Sequence, residues 1–463
     1  MGMGRRPGER QQELWIATGA LASVPKHIFY DKLNELLYEA GFDRFVEDLC
    51  EPFYAERGRD SIPPGRYFRM LFVGYFEELD SQRGIAWRCA DSLSLRNFLF
   101  LEASQQSPDH SSLTRIRERL PLFVHEQVFA FVLEIARQKK LLRGTQVGVD
   151  STTLEANAAM KSIVRRDSGE DWREYLLALA EAEGVEIKND EDLRRFDKNR
   201  KKQGKKKVSN AEWVSPVDED SRIVKMKDGR THLGYKAEHV VDLESEYLLS
   251  ADVVHGTDSD SQTLACSLVL AQTNLVRAGS EAEIKEVAAD KGYHANQTLV
   301  DCESLGVRTY IPERETGPRR WTDKPAETEV TFRNNRRRVR RDKGKRLQRA
   351  RSELLERSFA HVCETGGARR TWLRGLEKIN KRYQIHTAAR NLGLLMRDLF
   401  GIGKPRVLQD GLEALEEAAA ARLTLWLAQM TAWRPFRRFV RFSAPPQKFF
   451  ARNHFRPPKL AVL

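Results

Sequence analysis

Three short segments place a carboxylate where a chain can do chemistry. Val147-Gly-Val-Asp150-Ser-Thr-Thr is an apolar strand that ends in an acid and runs into small hydroxyl residues. Val287-Ala-Ala-Asp290-Lys-Gly-Tyr293 repeats the arrangement ahead of a glycine turn. A strand ending in Asp presents its carboxylate at the carboxyl edge of a sheet, where α/β sites lie. The competing readings are a turn-forming Asp150 and an Asp290 that caps the next helix. The third segment is the helical run from Arg349 to His361, with Glu353 and Glu356; taken alone, its acids read as solvent-facing partners of the neighbouring arginines. Thiolate chemistry is not on offer. Cys50, Cys89, Cys266, Cys302 and Cys363 stand far apart, odd in number and without a C-x-x-C pair, and read as buried thiols of a reducing compartment. His294 and His361 lie near the motifs and are read as structural or phosphate-contacting, not as bases.

The elements that must position these acids follow from pattern. The 463 residues give room for about two to four domains. Up to about residue 140 the apolar spacing is helical, as in Phe29–Leu37 and Tyr67–Leu79, with Pro63-Pro64-Gly65 breaking the chain before the second. From Gln146 the texture becomes strands at 146–150, 237–242 and 247–254, a helix from Ser259 to Arg277, a strand at 284–289, a helix at 296–305 and a strand at 307–311. That order predicts a mixed α/β domain over 141–400. Gly256-Thr-Asp258-Ser-Asp-Ser-Gln262 reads as the Asx or Ser cap of the 259–277 helix. Two basic segments interrupt the domain, about 158–230 and 313–345. The first holds Lys198–Lys207, too charged to pack and expected to be a loop; the second holds Arg336-Arg337-Arg338. Residues 401–463 form a basic tail, with phenylalanines interleaved among the cations of Arg434–Lys459.

With 78 Lys and Arg against 66 Asp and Glu, the net charge is +12. The balance favours a polyanionic partner. Neither a membrane-spanning run nor a secretory leader is read, so the expectation is a cytoplasmic protein without membrane contact.

Taken together, the three carboxylate motifs resemble those of bacterial insertion-sequence DDE transposases. Asp150 with Ser151-Thr-Thr, Ala289-Asp290-Lys-Gly-Tyr293 and Leu355-Glu356-Arg-Ser-Phe359 stand in the family's order. Leu373-Arg-Gly375, Lys381-Arg-Tyr383 and Asn391–Arg397 resemble the downstream part of the same domain, and Ile62–Leu120 resembles the helical domain that precedes it. The sequence departs from a related Tyr/Arg/Glu/Lys signature, having Cys363 where its Lys would stand. The resemblance implies an RNase H-like mixed sheet flanked by helices, preceded by an all-helical N-terminal DNA-binding domain over 1–140. It further implies that Asp150, Asp290 and Glu356 are the catalytic acids and ligate two Mg²⁺ ions, for which Mn²⁺ substitutes. Two such ions serve an in-line displacement at a phosphodiester, and hard oxygen ligands suit them.

Glu356 is preferred over Glu353 and Glu364. Glu353 sits in a row of arginines and Glu364 near a helix end, whereas Glu356 has Phe359, Ala360 and Cys363 on its side and is expected to face the domain body. The expected partner is double-stranded DNA, both element ends and target, bound by a homodimer or larger assembly on the bacterial nucleoid. In Ser111–Leu120, Leu113, Ile116 and Leu120 form an apolar stripe that leaves Ser112, Arg115 and Arg119 on an outer face suited to a groove. Lys236, Lys291, Arg336, Arg337 and Arg338 complete the expected DNA contacts. The rival functions are a catalytically inactive, domesticated DNA-binding derivative, which would not nick DNA, and a structure-specific nuclease, which would cut without joining.

Overall fold

The computed structural model describes residues 27–405 apart from 59–60, 103, 203–209, 227–228 and 315–318. The chain opens with α1 (Ile28–Glu39), α2 (Phe42–Cys50), α3 (Pro64–Phe76), α4 (Gln82–Asp91), α5 (Leu93–Phe98), α6 (His110–Arg119) and α7 (Leu122–Gln138). Pro64 starts α3 at the position where a missing N–H costs nothing. That helix is buried nearly all round, including Arg69, whose guanidinium donates to both oxygens of Asp43 at 2.5 and 2.8 Å. Asp109 caps α6 by accepting from the Ser112 N–H at 2.8 Å.

The sheet begins with β1 (Gln146–Glu155). The small pair β2 (Val164–Arg165) and β3 (Trp213–Val214) brackets α8 (Trp172–Ala182) and α9 (Asp190–Lys202). Then come β4 (Arg222–Lys225), β5 (Thr231–Asp242), β6 (Leu248–His255), α10 (Asp260–Arg277), β7 (Glu286–Ala289), α11 (Asn296–Ser304), β8 (Arg308–Tyr310), α12 (Ala326–Arg340), α13 (Asp342–Phe359) and α14 (Leu376–Phe400). A short π-helical stretch, Ala360–Thr365, follows α13. β5 runs antiparallel between β1 and β6, β7 joins β1 in parallel and β8 joins β7 in parallel; β4 pairs with the start of β5. The order β6-β5-β1-β7-β8, with β5 alone reversed, is the RNase H-like sheet that the motifs implied. α13 covers the face bearing Gly148, Asp150 and His239, and α10 covers the face bearing Lys236 and Glu238.

Exposed sheet edges are a liability unless their peptide groups are satisfied. Helical amides do this at both ends of the sheet. On β6, Asn380 accepts from the Val253 N–H and donates to its carbonyl, both at 2.8 Å, and Asn391 does the same to Leu248 at 3.0 and 2.8 Å. Beyond β8, Asn335 of α12 brackets Ile311 at 3.0 and 2.8 Å.

The first basic interruption differs from expectation. Residues 198–202 are not loop but the last turns of α9, which buries Leu193 and Phe196 and carries Asp190, Glu191 and Asp192 in its first turn, where acids favour a helix. Residues 203–209 lie outside the described residues. The 313–345 segment is largely α12 and the start of α13, because Thr331, Phe332 and Asn335 give α12 a buried face toward α11 and β8. The phenylalanine-rich tail also lies outside the described residues.

Candidate active site

The parallel register of β1 and β7 pairs Val149 with Ala289, so Asp150 and Asp290 follow side by side where β7 ends. β1 itself runs on to Glu155 against β5, so Asp150 lies mid-strand and not at the strand end the sequence suggested. Burial pushes the Asp150 carboxyl up, and the nearby Asp290 and Asp260 carboxylates push the same way. Arg351 of α13 opposes them, donating to Asp150 Oδ2 at 2.9 Å. Asp290 Oδ1 accepts from the Gly292 N–H at 2.6 Å and so caps the single turn Lys291–Tyr293, not the next α-helix, α11, whose N-cap is Ala295. Gly292 has no room for a side chain: an added Cβ would lie 2.7 Å from Asp290 Oδ1 and 2.8 Å from Asp260 Oδ2. The Asp290 and Asp260 carboxylates thus both border the space that a side chain at 292 would fill.

Asp260 is a site neighbour that sequence reasoning assigned to capping. Ser259, not Asp260, holds the N-cap position of α10 and makes no side-chain cap bond. Asp260 Oδ1 instead accepts from Ser151 Oγ at 2.9 Å and Lys236 Nζ at 3.2 Å. Its signal in the sequence was only a second acid in a helix start. Lys236 itself needs correcting as an expected DNA contact. It is 5% exposed, and its ammonium also donates to the Asp258 carbonyl at 2.8 Å and to Thr263 Oγ1 at 3.3 Å. The β1–β5 register pairs it with Thr153 and pairs Asp150 with His239, so Lys236 leaves the sheet on the face opposite Asp150.

Glu356 does not face the domain body. It is exposed, and its carboxylate makes no ion pair among the described residues. The buried stripe of α13 runs through Leu347, Leu354, Leu355, Ser358 and Phe359, which leaves Glu356 on the flank. Glu353 pairs with Arg357 at 2.6 Å, as its row of arginines implied, and Glu364 pairs with Arg369 at 2.8 Å in the π-helical stretch. His294 is buried against the Phe332 ring. His361 is half-buried, and burial lowers its pKa to about 4. Four of the five cysteines are buried, but Cys266 is exposed on the outer side of α10.

Mg²⁺ is commonly held by one or two carboxylates together with substrate phosphate and water, so the oxygen donors of Asp150 and Asp290 fit such an ion. Among the described residues no three His, Cys, Asp or Glu side chains form a metal-holding group.

In the N-terminal helices, Leu113, Ile116 and Leu120 are buried while Arg115 and Arg119 are exposed and Ser112 half-buried, as the stripe predicted. Arg119 lies over the Tyr54 ring, 4.5 Å from its centroid. Lys291 is exposed beside Asp290. The three consecutive arginines of α12 part company. Arg336 forms a two-pronged pair with Glu313 at 2.5 and 2.6 Å, Arg338 donates to the Thr309 carbonyl and hydroxyl at 3.0 and 3.2 Å, and Arg337 is exposed and pairs with no side chain among the described residues.

No helix among the described residues is long and apolar enough to cross a membrane. Two family profiles match the chain in tandem, a transposase domain (DUF772) over residues 20–119 and a transposase DDE domain over residues 195–392. Asp150 falls between the two spans; Asp290 and Glu356 lie within the second. No curated protein matches the sequence. Among solved structures, the chain is similar to a Mos1 transposase paired-end complex with left transposon end at 12% identity, over 75% of this chain and 100% of that one, with a TM-score of 0.19. The tandem profiles and the motif order agree with the strand order of the sheet: the chain belongs to the DDE transposases of insertion sequences and is a DNA transposase.

Proposed function

We propose that the protein binds the terminal inverted repeats of its own element, cleaves there by metal-dependent hydrolysis and joins the freed 3′-hydroxyl to target DNA. The observation that carries this reading is the parallel register that sets Asp150 beside Asp290. These two acids hold Mg²⁺, or Mn²⁺ in its stead. When bound, the ions activate the attacking oxygen and stabilise the leaving one. Asp290 is steadied by the Gly292 N–H, and Asp150 by the Ser151 N–H that donates to it at 2.8 Å. Both carboxylates therefore meet the substrate in a fixed pose, which such chemistry rewards. Glu356 is the third acid on the strength of its family motif, reached from the flank of α13. Arg115 and Arg119 read the ends while Lys291 and Arg337 meet phosphates, which position DNA without specifying its sequence. Acting on two ends requires at least a dimer on DNA, at work on the nucleoid in the cytoplasm.

The test is nicking of a duplex carrying the inverted repeat that flanks the gene, with Mg²⁺ or Mn²⁺. Asp150→Asn, Asp290→Asn and Glu356→Gln should lose cleavage yet keep end binding, whereas Glu353→Gln and Glu364→Gln should keep most of it. Wild-type cleavage in either aspartate variant overturns the reading. A dead Glu353→Gln beside an active Glu356→Gln moves the third acid by one helical turn.

A further inference from the structure

Arg351 occupies the junction between β1 and the helix that carries Glu356. Its stem lies across Gly148, where an added Cβ would come within 3.1 Å of Arg351 Cγ and 2.9 Å of Leu355 Cδ2. The guanidinium spends Nη1 on Asp150 and Nη2 on Ser352 Oγ at 3.2 Å, while Nε is buried without a partner. Its side chain is only 12% exposed. A guanidinium carries five donors in a planar fork that matches carboxylate or phosphate two bonds at a time. Here Asp150 takes a single bond, so the fork is only partly used. An exposed cation, Lys291, directly follows Asp290.

We propose that Arg351 is a phosphate-binding residue of the reaction, parked on Asp150 while DNA is absent, and that a DNA phosphate draws the guanidinium away and frees the carboxylate for a divalent cation. The proposal rests on Asp150 being a metal ligand. The exchange leaves no sheltered charge alone, because Asp150 trades one cation for another and Arg351 trades one anion for another. DNA and metal binding are then coupled, and by linkage each strengthens the other by the same factor.

Free Mn²⁺, followed by electron paramagnetic resonance on the full chain with and without an end duplex and corrected for duplex alone, tests the coupling. Wild type should bind Mn²⁺ about tenfold tighter with DNA, the order of one charge-assisted contact. Arg351→Met should bind Mn²⁺ without DNA as tightly as wild type does with it, and should nevertheless nick more slowly. A merely structural lesion would move both readouts downward. Arg351→Lys, which keeps a cation beside Asp150, should keep the coupling and guards against misfolding of the methionine variant. Unchanged or weaker Mn²⁺ binding by a folded Arg351→Met without DNA overturns the proposal. An unaltered Mn²⁺ isotherm in Asp150→Asn overturns the metal assignment beneath it.

Discussion

Replacing His239 with alanine probes what holds α13 and α14 to the sheet behind the acid pair. His239 is fully buried on β5, opposite Asp150 in the register. Its Nδ1 lies 2.9 Å from Ser358 Oγ, its Nε2 lies 2.7 Å from Tyr383 Oη, and its ring stacks on Phe359 at 4.1 Å. Ser358 already donates its hydroxyl hydrogen to the Leu355 carbonyl at 2.8 Å, so it accepts from Nδ1–H, which leaves Nε2 to accept from Tyr383. The neutral ring thus satisfies both helices, and burial holds its pKa well below the ordinary value. His239→Ala opens a cavity costing about 3 kcal/mol and leaves the Tyr383 hydroxyl short of an acceptor for about 1 more, roughly 4 in all.

The pH dependence has a definite sign. A folded pKa below the unfolded value gives stability that is complete above the unfolded pKa, about 6.5, and is lost as pH falls beneath it. One pH unit below that value, wild type gives up about 1 kcal/mol through this residue and the variant gives up none, so the gap should narrow to about 3 kcal/mol. His125 and His386, also buried and lowered, are common to both proteins and cancel. Urea denaturation of both proteins one pH unit above and one below an unfolded pKa of about 6.5 measures the gap. A cost below about 1 kcal/mol, or a gap that widens in acid, refutes the reasoning.

Two further substitutions test other parts of the structure. Gly344→Ala, which in an ordinary helix adds about 1 kcal/mol of stability, should here cost about 2, because its Cβ would stand 2.3 Å from the Arg338 carbonyl oxygen where α13 meets α12; a raised melting temperature counts against this packing. Arg115→Ala with Arg119→Ala should lower the preference for element ends over random duplex while α6 keeps its buried stripe, and competition binding at fixed salt that shows unchanged discrimination removes α6 from recognition.

What the sequence determined by itself is local. The strand that stops just before Asp290, the apolar stripe of α6 and the helix that opens near Asp260 follow from spacing within one element, and the structure has them close to where the pattern puts them. Strand ends were less legible: β1 runs past Asp150 to Glu155 and β5 starts at Thr231, because pairing with each other extends both beyond their apolar runs. The order of strands and helices implied only a mixed α/β domain, and the RNase H-like sheet came from the resemblance of the three motifs to DDE transposases. Tertiary structure decided which neighbour covers each face. Lys236 is an exposed cation or a buried one according to whether α10 lies over its side of β5, and nothing near residue 236 encodes α10. Glu356 and Leu355 differ by one position on α13, yet the helix's rotation against β1 makes Leu355 core and Glu356 surface, and that rotation is fixed by Gly148, 207 residues away. Arg336 and Arg338 look identical in the sequence and become a Glu313 partner and a Thr309 ligand only once β8 lies beside α12. Periodicity sets the face on which a side chain leaves its own element; long-range packing sets what it meets there.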